Sequence, residues 1–513
     1  AGFARLGLAV QKLTTLSSSP RQGFMATPAF PFPAVPGDDP RGEATWWQAR
    51  RHLEQNLVQV QGRVVGALAA RHHPPAQGTA NYGEVFIRDN VPVILHLLLQ
   101  GDQQSVRHFL EVTLALQGQE PQNRGLFPIS FVESDTGQLL ADYGQRAIGR
   151  IGSVDSSLWW PILAWLYVRH SGDRQLLVQP ELVQGVTALL ERLLQPAFDP
   201  GALLHVGEGA FMVDRPLDVW GAPLEVQVLL HGCLQSALHL LRAGDRARQV
   251  TPACTALVER AQRRQRSLGL ELRRHYWLTP RRLEQWQRRP VEQYGDRQQL
   301  NPYNVQPEAI PVWLEEWLAP GCGYLIGNVR SGRADFRFFS LGNSLACLVG
   351  LLRPAQERAL FRLVLHHRQQ LLAQMPLRLC HPPLEGEAWR LLSGCDPRNK
   401  AWTYHNGGHW PSLFWFLAAA IRRHQRRHGR HDPALMAALD DLLEEGYGLQ
   451  QQHLPHQGWP EYCDGPDGRN PGQQARREQS WTIAGFLLLH QLRRGDADAV
   501  TLLDLTEDDP AAA

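Results

Sequence analysis

Apolar residues recur at helical spacing along most of the chain, in segments that prolines and short polar turns separate. Several segments begin with a proline in the first turn, or with Ser or Asp just before it, which are helix-start signals. The pattern predicts roughly a dozen helices. They fall within 41–68, 92–100, 104–117, 156–170, 180–194, 223–242, 252–267, 342–352, 354–373, 411–428, 433–446 and 478–493.

Long segments rich in glycine, aromatic and charged residues lie between the helix pairs, at 81–90, 122–155, 203–221, 321–341, 380–410 and 457–479. Loops of this length are usually functional. Helix pairs alternating with such loops predict an all-α protein, a toroid of six helical hairpins closed on itself, although no exact repeat is visible. We expect one domain over 41–500, an N-terminal extension over 1–40 and a flexible acidic tail over 501–513.

Composition narrows the class of protein. The 513 residues are 43 % hydrophobic and 20 % charged, with a net charge of +2, so no global field draws the chain to nucleic acid or a membrane. No apolar run reaches about 18 residues, and no transmembrane helix is predicted. The seven cysteines are scattered without a CxxC pair. This spacing predicts reduced, mostly buried thiols in a cytosolic protein and no zinc or redox site.

The N-terminus leaves the cellular location open. Residues 1–37 contain Arg5, Lys12 and Arg21 but no acidic residue, and they are rich in Ser, Thr and Pro. This composition is typical of a transit peptide. Alternatively, Met25 is the true start of the protein. We expect a cytoplasmic protein, with an organelle as the alternative.

Asp155 stands between small residues, just before an apolar helix that contains Trp159 and Trp160. It is either the N-cap of that helix, accepting a backbone N–H, or a functional carboxyl at the mouth of the helix. In the second case aromatic burial raises its pKa and suits it to general-acid catalysis. Ser156 would then be the cap.

Glu461 lies in a Gly- and Pro-rich loop beside Trp459 and Tyr462. It is either an exposed glutamate in a turn or a carboxylate in a sugar site, where aromatic planes stack on the apolar faces of sugar rings. Glycoside hydrolysis requires two carboxyl groups on opposite sides of the bond. Because Asp155 and Glu461 are far apart in sequence, only a closed fold brings them together.

Further candidates for sugar contacts occur in the same loops, each with a plainer alternative such as a local ion pair, a helix-start charge or an exposed polar residue. They are Tyr82, Arg88, Asp89, Asp214, Glu225, Trp402, His405, Asn406, Arg476, Gln479 and Trp481. His405 and His409 are four apart, but Gly407-Gly408 argues against a helix between them, so no zinc pair is expected. Phosphate-loop, GxSxG and HExxH motifs do not occur.

Several blocks together carry a family resemblance: VFIRD at 85–89, AIGRIGSVDSSLWW at 147–160, FMVDRPLDVWGAPLEVQ at 211–227, WTYHNGGHW at 402–410 and WPEYCDG at 459–465. From about Trp46 to Leu492 the chain resembles the alkaline/neutral invertases, glycoside hydrolase family 100. The resemblance implies an (α/α)6 barrel and inverting hydrolysis of sucrose without metal or cofactor. It also implies Asp155 as general acid and Glu461 as general base, with their carboxyls roughly 6.5–9.5 Å apart.

The chain departs from the family pattern in the loops. Gln145-Arg146, Asn90, Gly207–Gly209, His409, Cys463 and Glu478 stand where the family usually has other residues. Since Asp155 and Glu461 are intact, hydrolysis is expected, and the sugar is less firmly indicated. The alternatives are a hydrolase of another α-glucoside, such as a compatible solute, and a non-catalytic sugar-binding protein. Partners expected are a small sugar, sucrose first, and a second copy in a homo-oligomer.

Overall fold

The structure, a computed structural model, describes residues 40–72, 82–145, 152–195, 202–245, 252–288, 305–330 and 332–506. Its helices are α1 (Pro40–Asn56), α2 (Asn90–Leu99), α3 (Gln103–Ala115), α4 (Asp155–Ser171), α5 (Arg174–Leu177), α6 (Pro180–Leu193), α7 (Leu224–Asp245), α8 (Pro252–Glu271), α9 (Pro280–Arg288), α10 (Trp313–Trp317), α11 (Ser340–Leu348), α12 (Pro354–His366), α13 (Arg368–Leu371), α14 (Gly386–Leu392), α15 (Phe414–His428), α16 (Pro433–Gln457), α17 (Ser480–Arg493) and α18 (Ala497–Leu503). Short 3-10 turns occur at Pro307–Ala309, Pro411–Leu413 and Gly429–His431, and a π turn at Leu272–Tyr276.

The strands are short and lie in the connections. They are β1 (Leu57–Val60), β2 (Arg63–Ala67), β3 (Ala70–His72), β4 (Val85–Phe86), β5 (Ser130–Glu133), β6 (Leu139–Asp142), β7 (Trp277–Leu278), β8 (Tyr324–Arg330), β9 (Arg333–Phe339), β10 (Cys380–His381), β11 (Cys463–Asp464), β12 (Asn470–Pro471) and β13 (Arg477–Gln479).

A closed inner ring of helices forms the core. Helices α2, α4, α7, α11, α15 and α17 each pack against the next, and α17 returns to α2. These helices are apolar on most sides, and every residue of α11 is buried. A helix that is apolar all round belongs inside a protein, surrounded by other elements. The continuous apolar runs of the sequence therefore mark the inner ring.

A second layer of helices covers this ring. Helices α1, α3, α6, α8, α12 and α16 are amphipathic and pack on the inner helices. Helix α6 is typical, since it buries Leu182, Val186, Leu189 and Leu193 along one face. The two layers form an (α/α)6 barrel, which confirms the predicted toroid of six hairpins.

The first predicted helix is too long. It ends at Asn56, and the following residues form an antiparallel hairpin in which Val60 pairs with Arg63. Gln61 and Gly62, which connect the strands, have φ of 52° and 75°. A two-residue turn with positive φ at both positions matches the twist of a hairpin, and the valine-rich flanks favour strands.

The segment 321–341, predicted as a loop, contains the longest hairpin of the described residues. Strands β8 and β9 pair antiparallel within a four-stranded sheet of order β10-β9-β8-β7. Near the end of the chain, β13 pairs with β3, and α17 therefore begins at Ser480 and not at 478. This pairing joins the last inner helix to the first part of the chain.

The start of the predicted C-terminal tail is also wrong. Helix α18 extends to Leu503, and the side chain of Asp504 is fully buried against Arg423, Arg426 and Arg427. The acidic residue at 504 is thus an anchor, because three cations surround it. Residues 507–513 and the predicted extension up to residue 39 lie outside the described residues.

The cysteines whose side chains the structure describes are free and mostly buried. Cys233, Cys322, Cys347, Cys380 and Cys463 are buried, and Cys395 is exposed. Among the helices of the described ranges, none is long and apolar enough to cross a membrane.

Candidate active site

A cavity lies at the end of the barrel where the inner helices begin. Asp89 precedes α2, Asp155 opens α4, Glu225 is the second residue of α7, and Gln479 precedes α17. The N-terminal ends of helices carry partial positive charge, which favours acidic groups placed there. The cavity is lined by Ala69, Tyr82, Phe86, Arg88, Asp89, Ile129, Ser153, Gly209, Phe211, Met212, Asp214, Tyr404, His405, Trp410, Glu461, Gln479 and Trp481.

The Asp155 carboxylate accepts hydrogen bonds from polar side chains and does not cap its helix. The N-cap of α4 is Val154, and Asp155 is the first helical residue. Its side chain is 1 % exposed; Arg88 Nη1 donates to Oδ2 at 2.7 Å, and the Ser153 hydroxyl donates to Oδ1. The N-cap interpretation is therefore wrong, and so is the expectation that Ser156 caps the helix.

Glu461 is buried and hydrogen-bonded, so the exposed-turn interpretation is wrong. The Tyr82 hydroxyl donates to its two carboxylate oxygens at 3.0 and 3.3 Å, and the residue is 5 % exposed. The Glu461 backbone N–H donates to the Arg476 carbonyl at 2.8 Å. Burial raises the pKa of Glu461 to about 7, although the Tyr82 hydrogen bond acts in the opposite direction.

Two further buried carboxyls, Asp89 and Glu225, and the half-buried Asp214 surround this pair. Burial raises the pKa of Asp89 to about 6 and that of Glu225 to about 8, in the second case helped by the nearby charge of Asp155. Burial also raises the pKa of Asp214. Arg88 is the cation among these carboxyls: burial alone would lower its pKa, but Asp155 and Asp89 hold it above its ordinary value. At neutral pH Glu225 is therefore mostly protonated, so that its carboxyl both donates and accepts hydrogen bonds, whereas Asp89 is mostly ionised.

Aromatic rings form another part of the cavity wall. The ring centroids of Tyr404 and His405 are 3.8 Å apart, His405 stacks on Trp410 at 5.2 Å, and Trp410 meets Trp481 edge-on at 5.6 Å. His405 is 1 % exposed, and burial lowers its pKa far below the ordinary value, so its ring is neutral. Flat apolar surfaces beside hydrogen-bonding groups suit the two sides of a sugar ring.

Residues 49–495 match the sequence profile of the family described as alkaline and neutral invertase. The chain belongs to this family. It is 37 % identical to cytosolic invertase 1 of Oryza sativa subsp. japonica over 473 residues, covering 90 % of this chain and 80 % of the relative. Alkaline/neutral invertase CINV1 of Arabidopsis thaliana is also 37 % identical, with 90 % and 81 % covered. A mitochondrial neutral/alkaline invertase 1 of Oryza sativa subsp. japonica is 35 % identical, with 85 % and 68 % covered.

Solved structures share the fold at low sequence identity. An uncharacterized conserved protein from Thermus thermophilus matches with a TM-score of 0.50 at 15 % identity, covering 86 % of this chain and 99 % of that one. A glycosidase variant in complex with glucose matches with a TM-score of 0.50 at 12 % identity, covering 90 % and 97 %. Membership of the invertase family makes the chain a glycoside hydrolase.

The invertase fold brings most of the sequence-predicted residues to one cavity. Tyr82, Arg88, Asp89, Asp214, His405, Glu461, Gln479 and Trp481 line it. Asp155 contacts the cavity through Arg88, and Glu225 is close enough to both to interact electrostatically. Arg476 contacts the site from outside the lining, with its guanidinium 4.9 Å from the centre of the Tyr82 ring.

Trp402 and Asn406 are not among the lining residues. The Asn406 amide binds the backbone of Leu384 on both sides, at 2.6 and 2.8 Å, and the carbonyl of Asn399 at 3.0 Å. The Trp402 indole donates to Glu385 at 2.7 Å. These contacts join the loop that carries His405 to the segment before it, so both residues support the wall of the cavity.

Several lining residues were missed from the sequence. Ser153, Phe211 and Met212 lie inside the family blocks, and Tyr404 and Trp410 lie in the aromatic stretch that drew attention to His405. Their nearness in sequence to Asp155, Asp214 and His405 was a usable signal. The AIGRI part of the Asp155 block, residues 147–151, lies outside the described residues.

Proposed function

We propose that the chain hydrolyses sucrose to glucose and fructose with inversion at the glucosyl carbon. The observation that carries the proposal is the meeting of two carboxyls at one end of the barrel: Asp155 is held by Arg88 and Glu461 by Tyr82, and both holding residues line the same cavity. Two carboxyls across a sugar site are what glycoside hydrolysis requires. For inversion we expect them roughly 6.5–9.5 Å apart, with room for a water molecule.

Glu461 is the proposed general base. With a pKa of about 7 it is ionised above neutral pH, and it is basic enough to remove a proton from water. The water oxygen forms a bond to the anomeric carbon of glucose, and its proton goes to Glu461. Buried in an aromatic loop, the carboxylate has little competing solvation.

Asp155 is the proposed general acid. Its proton goes to the oxygen that bridges glucose and fructose as the bond from that oxygen to the glucosyl carbon breaks. The bridging oxygen must therefore replace Arg88 at Oδ2, where Nη1 lies 2.7 Å away. Exchange of protons with solvent then restores both carboxyls, so the net reaction consumes one water molecule and requires only proton transfers.

The other lining groups bind the sugar in this proposal. Asp89, Asp214 and Gln479 bind hydroxyl groups, and the side-chain amide of Gln479 already lies 3.4 Å from Asp89 Oδ2. Trp410 and Trp481 face the apolar side of the ring. We also propose the cytoplasm as the location. One similar relative is named cytosolic and a second has no organelle in its name, whereas a third is named mitochondrial.

The experiment is incubation of the purified chain with sucrose, followed in real time by proton NMR. Sucrose contains an α-glucoside, so inversion releases β-glucose first and mutarotation follows. Release of α-glucose first would overturn inversion. If the chain hydrolysed another α-glucoside in a parallel panel but not sucrose, that α-glucoside would replace sucrose as the proposed substrate. Binding of sucrose with no turnover of any sugar would make the protein a non-catalytic binder.

A further inference from the structure

A second cavity lies on the outer side of the barrel, between α10, the end of α12 with α13, and β10. Its walls are Trp313, Glu316, Trp317, His366, His367, Gln369, Gln370 and His381, and it shares none of them with the central cavity. Its volume is about 370 Å³. That size falls in the range of about 300–1,000 Å³ found for small-molecule sites.

Trp317 makes one wall of this cavity rigid. The indole lies between two imidazoles, with ring centroids 3.8 Å from His367 and 4.4 Å from His381 and nearly parallel planes. His367 also binds the Trp317 carbonyl at 2.9 Å and the Gln370 side chain at 2.8 Å. Ring stacking and hydrogen bonds on both sides fix this wall before any ligand arrives, which reduces the entropy that binding would cost.

The other lining residues offer polar groups, and Gln370 among them also binds His367. Trp313 is half-buried, while Glu316, His366, Gln369 and Gln370 are exposed. Amides, imidazole and a carboxylate supply both donors and acceptors, beside an indole plane. Hydroxyl groups need this mixture, because each of them donates and accepts, and a sugar ring also has an apolar face for an aromatic plane.

Other ligand classes fit the lining less well. An anion would meet Glu316 and no Arg or Lys, because none of the described residues that line the cavity is either. A metal ion would need several ligands placed together, and among the described residues no group of three or more His, Cys, Asp or Glu is so placed; both ring nitrogens of His367 are also already hydrogen-bonded. A wholly apolar ligand would leave the amides and the carboxylate unpaired, which is unfavourable.

We propose that this outer cavity, defined by Trp313, Trp317, Gln369 and Gln370, is a second binding site for a small neutral saccharide. The proposal is independent of the reaction at Asp155 and Glu461. Trp313 supplies the stacking plane, and the two glutamines with Glu316 bind hydroxyl groups.

The test uses the full chain with Glu461→Gln, so that sucrose is not consumed, and hydrogen–deuterium exchange measured by mass spectrometry. Glucose, fructose, sucrose and maltose are added separately. With a sugar at ten times its dissociation constant, we expect exchange over residues 313–317 and 366–371 to slow by about tenfold. Residues 402–410 report the central cavity in the same experiment.

Trp313→Ala in the same background should abolish the slowing at the outer cavity and leave any slowing over 402–410. Trp220→Ala removes another exposed tryptophan, one that is in the lining of neither cavity, and should change neither. Gln369→Ala provides a second variant, with weaker slowing expected, if Trp313→Ala fails to fold. Absence of slowing at 313–317 with all four sugars, or slowing that persists in both cavity variants, would overturn the proposal. Failure of the wild-type chain to hydrolyse sucrose would instead overturn the proposed function and leave this result unchanged.

Discussion

Arg88 Nη1 donates a hydrogen bond to Oδ2 of Asp155 over 2.7 Å, so a cation holds the carboxyl that the proposed reaction uses as its acid. Arg88 also lies 3.7 Å from Asp89 and interacts electrostatically with Asp214. It therefore keeps negative partners when the bridging oxygen of a substrate takes its place at Asp155. In the proposed reaction, binding of the sugar would thus be coupled through the Arg88 guanidinium to freeing the Asp155 carboxyl for proton transfer.

Asp155→Asn removes the proton donor and keeps the shape of the side chain. We expect kcat on sucrose to fall by about 10²–10⁴, the contribution of a well-placed general acid. On α-glucosyl fluoride, whose leaving group needs no proton, the loss should be much smaller. Both are measured as initial rates of glucose release.

Glu461→Gln is the matched variant for that experiment. Because the base acts on water with either substrate, its activity should fall on both sucrose and the fluoride. If Asp155→Asn lost activity equally on sucrose and on the fluoride, Asp155 would not be the general acid. Full activity of either variant on sucrose would show that the substituted residue has no catalytic role.

Tyr82→Phe should shift the acidic limb of the pH profile of kcat/KM. The Tyr82 hydroxyl stabilises the ionised form of Glu461 and so lowers its pKa, which stands at about 7. Without that donor the pKa rises, and the base becomes active only at higher pH. A hydrogen bond to a charged group contributes about 1.5 kcal/mol or more, so the limb should move up by about one pH unit.

Tyr167→Phe is the control for Tyr82→Phe, since its hydroxyl donates to Asp173 at the other end of α4, at 2.9 Å. Its profile should match that of the wild-type chain. A Tyr82→Phe limb that stays in place, or moves to lower pH, would contradict Glu461 as the group that titrates there.

The barrel was predictable because its inner helices are apolar on most sides and its outer helices on one. Such patterns depend on sequence alone. The hairpin from Leu57 to Ala67 was not predictable, because its valines also fit helical spacing. Its turn also depends on a positive φ at Gln61, a residue without a strong turn signal. The same limit applies to β13, which forms only because β3 lies beside it.

For the candidate site, the sequence pointed to many of the residues that line the cavity, but it did not show which of them bind one another. The blocks around Asp155 and Glu461 drew attention to both carboxyls, but Arg88 lies 67 positions from Asp155 and Tyr82 lies 379 positions from Glu461. Only the closed ring brings them together. The tryptophans next to Asp155 suggested aromatic burial of its carboxyl, whereas among the described residues Arg88 and Ser153 bind that carboxylate.

Glu225→Gln should stabilise the protein more at pH 9 than at pH 5. Burial raises the pKa of Glu225 from 4.5 to about 8. Between these values the unfolded chain is ionised and the folded one is protonated, so stability falls as pH rises through this window and stays low above it. The gain from glutamine is at most about 5 kcal/mol, at 1.36 kcal/mol per pKa unit.

Urea unfolding at the two pH values measures this difference, with the exposed Glu308→Gln as the matched variant. A larger gain at pH 5 than at pH 9 would contradict a raised pKa at Glu225. Activity is a separate readout: if Glu225 acts in its neutral form, the glutamine variant should keep a large part of the sucrose turnover at pH 7.

Asp504→Asn should destabilise the barrel without changing its site. The Asp504 carboxylate is fully buried and accepts from Arg423 at 2.9 Å, Arg426 at 2.9 Å and Arg427 at 2.6 Å. Burial alone would raise its pKa, but the arginines hold the pKa below the ordinary value of 3.8. Its stabilisation is therefore present above that pH and is lost as pH falls. An amide leaves three cations without their shared anion, which costs about 3–5 kcal/mol.

The arginines that bind Asp504 lie in the last turns of α15, whereas the candidate site lies where the inner helices begin. We therefore expect a lower urea midpoint for Asp504→Asn, with kcat per folded molecule unchanged. The exposed Asp498→Asn on α18 tests whether any loss of acidic charge there has the same effect, and it should leave the stability within about 0.5 kcal/mol of wild type. An Asp504→Asn protein that is as stable as wild type would show that the C-terminal helix is held by its apolar contacts alone. One that is equally stable but less active would mean that this end of the barrel is coupled to the site.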